Sequence, residues 1–251
     1  MPYFTTMYSK DEITRIKGEF VQGLIDSNML KIAPSPADES QWFKLKTPKP
    51  DGSPNMSPLF WSIQSIQDNP DLWDCAVILL GYTAEELGLQ FDKVVGVPEG
   101  MTATAAVVGY ELGKGVLTIR KQEKDHGQGG LLIGNLNPDD RVLVLEDVAT
   151  TGMSILGEAA LKLQKVSGKQ NVKDAIVMLD RQQGAVDKLA KGFYETKVDG
   201  QMTIANPDNP HPVRLHSVLT QTEAIQYWIP ESSHHKSMKP VIEKYLSQNT
   251  K

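Results

Sequence analysis

The middle of the chain alternates short apolar runs with segments of helical periodicity. From Phe91 onward the apolar runs are KVVGV, GVLTIR, RVLVLEDV and AIVMLDR, and helical segments, TATAAVVGYELG and MSILGEAALKLQKV, follow the first and the third of them. Strands that alternate with helices at this spacing favour βαβ units, because a parallel connection needs a crossover about as long as a helix. The pattern predicts an α/β fold, an open parallel sheet with helices on both faces.

Local signals on either side of this region predict further elements. Ser9 followed by Glu12 is a capping box that predicts an amphipathic first helix. Two β-prone pieces, residues 42–46 and 59–63, flank a loop rich in Pro and Gly and predict a hairpin with a long tip. Asn69-Pro70-Asp71 predicts the start of a helix that runs towards Leu87.

The last third of the chain is less regular. Alternating and Pro-rich pieces over residues 193–220 predict a strand, an excursion and a return. Two helices are expected to follow, near Thr222 to Tyr227 and Met238 to Gln248.

Charge and cysteine content narrow the classes of function. The 251 residues carry a net charge of -5, which gives no general attraction for nucleic acid or anionic membranes, although small phosphate ligands remain open. The single cysteine, Cys75, fits a reducing compartment. No apolar run reaches the roughly 18 residues that span a bilayer. We therefore expect a cytoplasmic protein without nucleic-acid or membrane partners.

The segment RVLVLEDVATTGMS, residues 141–154, joins a buried-looking strand to two acids, a turn and a helix that begins at about Ser154. Ligands of open α/β sheets bind beyond the carboxyl ends of the strands, so Glu146 and Asp147 are expected to face a ligand rather than to be buried. The free N–H groups of the helix predict an anion site beside hydroxyl-bearing residues. This combination suits a sugar phosphate, while acids that merely cap the helix remain the alternative.

A second cluster, IRKQEKDHGQGG, concentrates basic side chains in an acidic protein. Arg120, Lys121, Lys124 and His126 fall within seven positions and are followed by three glycines. Such a group is a candidate binding site for a polyphosphate. A solvated charged loop is the alternative for this segment taken alone.

The two segments together resemble a known family. VLVLEDVATTG resembles the phosphoribosyl-diphosphate (PRPP) motif of the type I phosphoribosyltransferases, and RKQEKDHGQGG is similar to the catalytic loop of the orotate phosphoribosyltransferases among them. The resemblance covers roughly residues 10–185. It implies a type I phosphoribosyltransferase fold in a single domain, with a PRPP-binding core at about 70–190 and a small hood from about 30–66 and the C-terminal region.

The resemblance also implies a reaction and its residues. Orotate and PRPP would give orotidine 5′-monophosphate and diphosphate with Mg²⁺, held mainly by substrate and water, in a homodimer that shares the 120–130 loop between subunits. The implied catalytic residues are Lys124, His126 and Asp147. Orotate would contact Lys46, Phe60, Trp61, Thr150 and Arg181. PRPP would contact Arg120, Lys121, Lys124, His126, Glu146, Asp147, Ala149, Thr150, Thr151, Gly152, Met153 and Ser154.

The chain departs from the family pattern at several positions. Glu146 stands where the orotate enzymes usually have Asp, and Met153 stands where Thr or Ser is common. Glu99 puts a negative charge in the loop expected to contact diphosphate. A phosphoribosyltransferase for another base, or a non-catalytic PRPP-binding regulator, therefore remains an alternative function.

Overall fold

The computed structural model describes residues 3–45, 52–124, 130–192, 194–198, 201–205 and 210–250. The helices are α1 (Phe4–Met7), α2 (Lys10–Asp26), α3 (Pro70–Glu86), α4 (Thr102–Glu111), α5 (Leu161–Ser167), α6 (Ala185–Lys191), α7 (Gln221–Tyr227) and α8 (Ser233–Asn249). The strands are β1 (Leu30–Ile32), β2 (Phe43–Lys44), β3 (Met56–Ser57), β4 (Leu59–Trp61), β5 (Lys93–Gly96), β6 (Gly115–Lys124), β7 (Gly130–Ile133), β8 (Val142–Ala149), β9 (Val172–Asp180), β10 (Tyr194–Val198), β11 (Gln201–Ala205) and β12 (Arg214–Thr220). Short 3₁₀ turns cover Glu39–Gln41 and Ile63–Asp68, and a π-helical turn covers Ile155–Ala160.

A six-stranded sheet forms the centre of the molecule, in the order β12-β9-β8-β5-β6-β7. Its strands pair in parallel except for the edge strand β7, which runs antiparallel to β6. The predicted α/β architecture is thus confirmed. Strand β12, which follows residue 190, belongs to the same sheet as the predicted core.

Helices cover both faces of this sheet because neighbouring strand residues point to opposite sides. Val94 and Leu143 join a core with α2, α3, α4, α7 and α8. Val95 and Val144, the next residue in each strand, join a second core with the Ile155–Ala160 turn, α5 and α6. Each fully buried Val or Leu side chain stabilises the fold by about 1.5–3 kcal/mol relative to exposure.

The hairpin predicted near the N-terminus is wrong in its pairing. Strand β2 pairs with β3, whereas β4 pairs with β1, so that Leu30 lies opposite Trp61. Leu59 and Trp61 on β4 are buried and Phe60 between them is exposed. A three-residue strand such as β1 leaves almost no periodic signal in the sequence, and its pairing is decided by tertiary packing.

Most other boundaries agree with the sequence, with three corrections. The capping box is present at the start of α2, and α3 begins after Asn69. Strand β8 continues past the two acids to Ala149, and β6 includes the basic positions up to Lys124. Helix α8 begins five residues before the predicted Met238, because the side chain of Ser232 accepts a hydrogen bond from the His235 N–H. None of the helices in the described ranges is long and apolar enough to cross a membrane.

Candidate active site

The carboxyl ends of three neighbouring strands meet in register at one edge of the sheet. Asp180 on β9 lies opposite both Ala149 on β8 and Thr220 on β12. This is the edge at which open α/β sheets bind ligands. The residues that follow these strand ends are therefore placed together, although they are far apart in the sequence.

A cavity of 510 Å³ opens at this edge. It brings together many of the predicted site residues: Phe60, Trp61, Asp147, Thr150, Thr151, Gly152, Met153, Ser154 and Arg181. It also contains polar residues that sequence reasoning missed, Lys44, Asn55, Ser62, Gln64 and Gln183. Three of them carried a local signal: Gln183 lies two residues after Arg181, and Lys44 and Ser62 lie within the β-prone pieces 42–46 and 59–63.

The turn after β8 depends on Gly152. Its φ of +73° is a left-handed conformation that other residues avoid. A Cβ at this position would also lie 2.6 Å from Leu189 Cγ, too close for any side chain. The turn leads into the π-helical turn that starts at Ile155, a form often found at functional sites. Helix N-termini present free N–H groups, so this turn suits an anion.

The two acids before the turn differ in environment. Glu146 is buried, with 6% of its surface exposed, whereas Asp147 is half-buried and lines the cavity. Burial, and after it the Asp147 carboxyl group, raises the pKa of Glu146 well above its usual value. The Ser154 hydroxyl donates a 2.5 Å hydrogen bond to Glu146 Oε2.

The expectation that both acids face a ligand is therefore wrong for Glu146. Strand β8 continues beyond the acids, and consecutive strand residues point to opposite faces. The Cβ atoms of the two adjacent acids therefore point to opposite faces, and the Glu146 carboxyl group is buried although it stays close to that of Asp147. Of the two acids, only Asp147 lines the cavity.

Two buried donors in the cavity wall have no acceptor in the described part of the chain. They are Nε of Arg181 and Nε1 of Trp61. Burial lowers the pKa of the Arg181 guanidinium, and nearby Tyr245 partly offsets that change. Because buried donors are nearly always satisfied, their shared cavity suits a ligand rich in acceptor oxygens.

The basic cluster is only partly described, and neither Arg120 nor Lys121 lines this cavity. Arg120 Nη1 donates to the carbonyl oxygens of Gly130 and Leu132, both at 3.0 Å, and thus connects β6 to β7. Lys121 Nζ forms a 3.0 Å ion pair with Glu99, whose peptide bond to Pro98 is cis. The side chains of Lys46, Lys124 and His126 lie outside the described residues, so their roles stay predictions. Within the described ranges no group of three or more His, Cys, Asp and Glu side chains is placed to hold a metal ion.

Comparison with known proteins identifies many similar chains, although no protein-family model matches. The orotate phosphoribosyltransferase of Pyrococcus abyssi is 34% identical over 179 residues, which cover 71% of this chain and 89% of the relative. That of Methanococcus maripaludis is 33% identical over 189 residues, covering 75% and 92%. The crystal structure of orotate phosphoribosyltransferase from Aeropyrum pernix has a TM-score of 0.59 at 24% identity, covering 82% of this chain and 96% of that chain. The last similarity shows a shared fold.

Proposed function

The chain belongs to the orotate phosphoribosyltransferase family, and from that premise we propose how its residues carry out the reaction. The enzyme transfers the 5-phosphoribosyl group of PRPP to orotate, giving orotidine 5′-monophosphate and diphosphate in pyrimidine biosynthesis. One observation carries the assignment of the site. A single cavity is lined by the turn at residues 150–154 and by Arg181 and Trp61, each of which has a buried N–H without an acceptor in the described part of the chain.

The turn after β8 binds the 5-phosphate of the ribose in this proposal. Thr150 and Thr151 add hydroxyl donors to the N–H groups of the turn. Asp147 accepts hydrogen bonds from the ribose hydroxyls. Its negative charge also stabilises the electron-deficient C1 carbon in an oxocarbenium-like transition state.

The opposite wall binds orotate, a planar anion. Arg181 meets its carboxylate or ring oxygens, because a guanidinium donates two parallel hydrogen bonds to such a group. Trp61 donates from Nε1, and Phe60, 41% exposed, offers a ring face to the base. Lys46 is placed here on the resemblance alone.

Diphosphate leaves towards the connection between β6 and β7. Lys124 and His126 stabilise its developing charge, with Arg120 and Lys121 at the base of the same connection. Mg²⁺, bound by oxygens of PRPP and by water, would neutralise part of the diphosphate charge without a protein cage. We place the reaction in the cytoplasm, in keeping with the single cysteine.

An absorbance assay across several bases tests the assignment. The purified protein with PRPP and Mg²⁺ should deplete orotate absorbance and leave uracil and adenine unchanged. Turnover of uracil or a purine in place of orotate would assign the chain to another base. Binding of PRPP without turnover of any base would favour the regulatory alternative instead.

Mixing two inactive variants tests the proposed homodimer with a shared loop. Lys124→Ala removes the loop donor and Arg181→Met removes the base-binding donor. If the loop serves the partner subunit, a mixed dimer contains one intact site, and random exchange of subunits restores about a quarter of wild-type activity. If the loop serves its own subunit, the mixture stays inactive.

A further inference from the structure

We propose that the start of α7 positions Arg181 for base recognition: Gln221 and Thr222 hold the Asp180–Gln183 segment and fix the direction in which Arg181 enters the cavity. The inference rests on the proposed function, in which Arg181 meets orotate. It assigns a role in substrate recognition to a part of the chain that follows the region of family resemblance.

The backbone of Arg181 is held on both sides. Its N–H donates to the carbonyl oxygen of Ala149 at 2.9 Å, at the end of β8. Its carbonyl oxygen accepts a 2.6 Å hydrogen bond from Nε2 of Gln221, which is 1% exposed. The backbone of Arg181 is therefore fixed between the end of β8 and Gln221, the first residue of α7.

The residue after Arg181 is held in an unusual conformation. Gln182 has a φ of +56°, a left-handed value that non-glycine residues seldom adopt. Its N–H donates to Asp180 Oδ1 at 2.8 Å, and its Oε1 accepts from the Thr222 N–H at 3.2 Å and from the Thr222 hydroxyl at 2.6 Å. These contacts stabilise the turn at Gln182.

This turn decides which side chains reach the substrate. Arg181 and Gln183 line the cavity, whereas Gln182 between them does not. Arg181 Nε meets no acceptor in the described part of the chain, so the position of the residue depends on the hydrogen bonds of its backbone N–H and carbonyl oxygen. Strand β12 places the start of α7 beside Arg181, because Thr220, the residue before Gln221, pairs with Asp180.

A matched pair of substitutions at Thr222 tests the inference. Thr222→Val keeps the shape of the side chain and the backbone N–H but removes the hydroxyl donor, whereas Thr222→Ser keeps the donor. We expect Thr222→Val to raise KM for orotate about three- to tenfold, the range for one lost hydrogen bond. KM for PRPP should stay at the wild-type value, and Thr222→Ser should restore KM for orotate.

A substitution of the acceptor residue tests the same hydrogen bond if a Thr222 variant does not fold. Gln182→Leu removes the acceptor, so it should raise KM for orotate as Thr222→Val does, and the double variant should be no worse than the poorer single variant. Equal increases in both KM values, or a lower Tm with an unchanged KM for orotate, would show a merely structural contact and overturn the inference alone. A wild-type protein that fails to convert orotate would overturn the proposed function and this inference with it.

Discussion

The amino and carboxyl ends of the central sheet differ in whether their charged side chains have partners of opposite charge. At the amino end, before β5 and β8, Asp92 accepts hydrogen bonds from the backbone N–H, Nε and Nη2 of Arg141, at 2.9 to 3.1 Å. At the start of β12, Arg214 donates two 2.8 Å hydrogen bonds to Asp174, which also contacts His216 at 2.9 Å. Each of these carboxylates lies against a cation that compensates its charge.

At the carboxyl end, Glu146 and Arg181 lack such compensation within the described part of the chain. Glu146 is buried beside another acid, and Arg181 Nε has no acceptor within the described ranges. Gln182 keeps a left-handed backbone. A buried acid, a buried donor without an acceptor and a left-handed residue each cost stability, so their concentration at one edge indicates that this edge is organised for a ligand while the other stabilises the fold.

The largest expected effect comes from replacing one arginine at each end of the sheet, Arg181 and Arg214. Arg181→Met should lower kcat/KM for orotate by about a hundredfold or more, because a charged donor to the substrate is lost. Its Tm should not fall, since Arg181 Nε is buried without an acceptor in the described part of the chain. Arg214→Met, the matched control, should lower Tm because the Asp174 carboxylate loses two hydrogen bonds from the guanidinium and keeps only its contact with His216. It should leave kcat/KM within about twofold. Equal activity losses in both variants would erase the contrast.

A similar contrast applies to the acids. Asp147→Asn should reduce kcat on the order of a hundredfold, because the amide keeps the shape but removes the charge that stabilises the transition state. Asp140→Asn changes an acid at the amino end, where Asp140 lies 3.4 Å from Lys93, and should leave kcat unchanged. Steady-state kinetics of the two variants decides the point. An active Asp147→Asn enzyme would remove this carboxylate from the mechanism.

The pH dependence of stability should have opposite signs at the two ends. The pKa of Glu146 is raised in the folded protein, so its contribution to stability is complete below the usual value of 4.5 and is lost as the pH rises through the folded pKa. Glu146→Gln should therefore raise Tm relative to the wild type at alkaline pH and lose that advantage in acid.

The pKa of Asp92 is lowered to about 2 by its hydrogen bonds with Arg141. Its contribution is present above the ordinary value of 3.8 and is lost as the pH falls towards 2. Asp92→Asn should lower Tm at neutral pH and not in strong acid. The decrease should be small, because solvent screens this exposed pair. Thermal unfolding of both variants across the pH range measures the two signs, and identical profiles would contradict the comparison.

The smallest expected effect concerns Glu99, which pairs with Lys121 next to the expected diphosphate position. Both side chains are more than half exposed, so the pair contributes little. Glu99→Gln should lower KM for PRPP by about two- to threefold at low salt, because it removes a negative charge near the diphosphate. The difference should vanish at high salt. A salt-independent change would indicate a structural cause.

Local and periodic features were predictable from the sequence. The capping box at Ser9, the helix start at Asn69 and the strand and helix alternation after Phe91 depend on neighbouring residues or on side-chain period. The turn after β8 was predicted from the strand and helix signals on either side of it, whereas Arg181 was predicted from the family resemblance.

Features decided by distant partners were not predictable. The pairing of β4 with β1 and the burial of Glu146 both depend on which strands lie beside them. Gln221 and Thr222 carry no local motif, and their contacts with Arg181 and Gln182 cross about forty residues of sequence. Such contacts become visible only after the sheet brings the strand ends together.

The central claim is that one cavity at the carboxyl end binds PRPP and orotate and couples their reaction. Measuring orotate consumption and diphosphate release in the same reaction tests it most directly. We predict one diphosphate released for each orotate consumed, and almost no release without a base. Release of diphosphate at the same rate without orotate, or no release with it, would contradict the account.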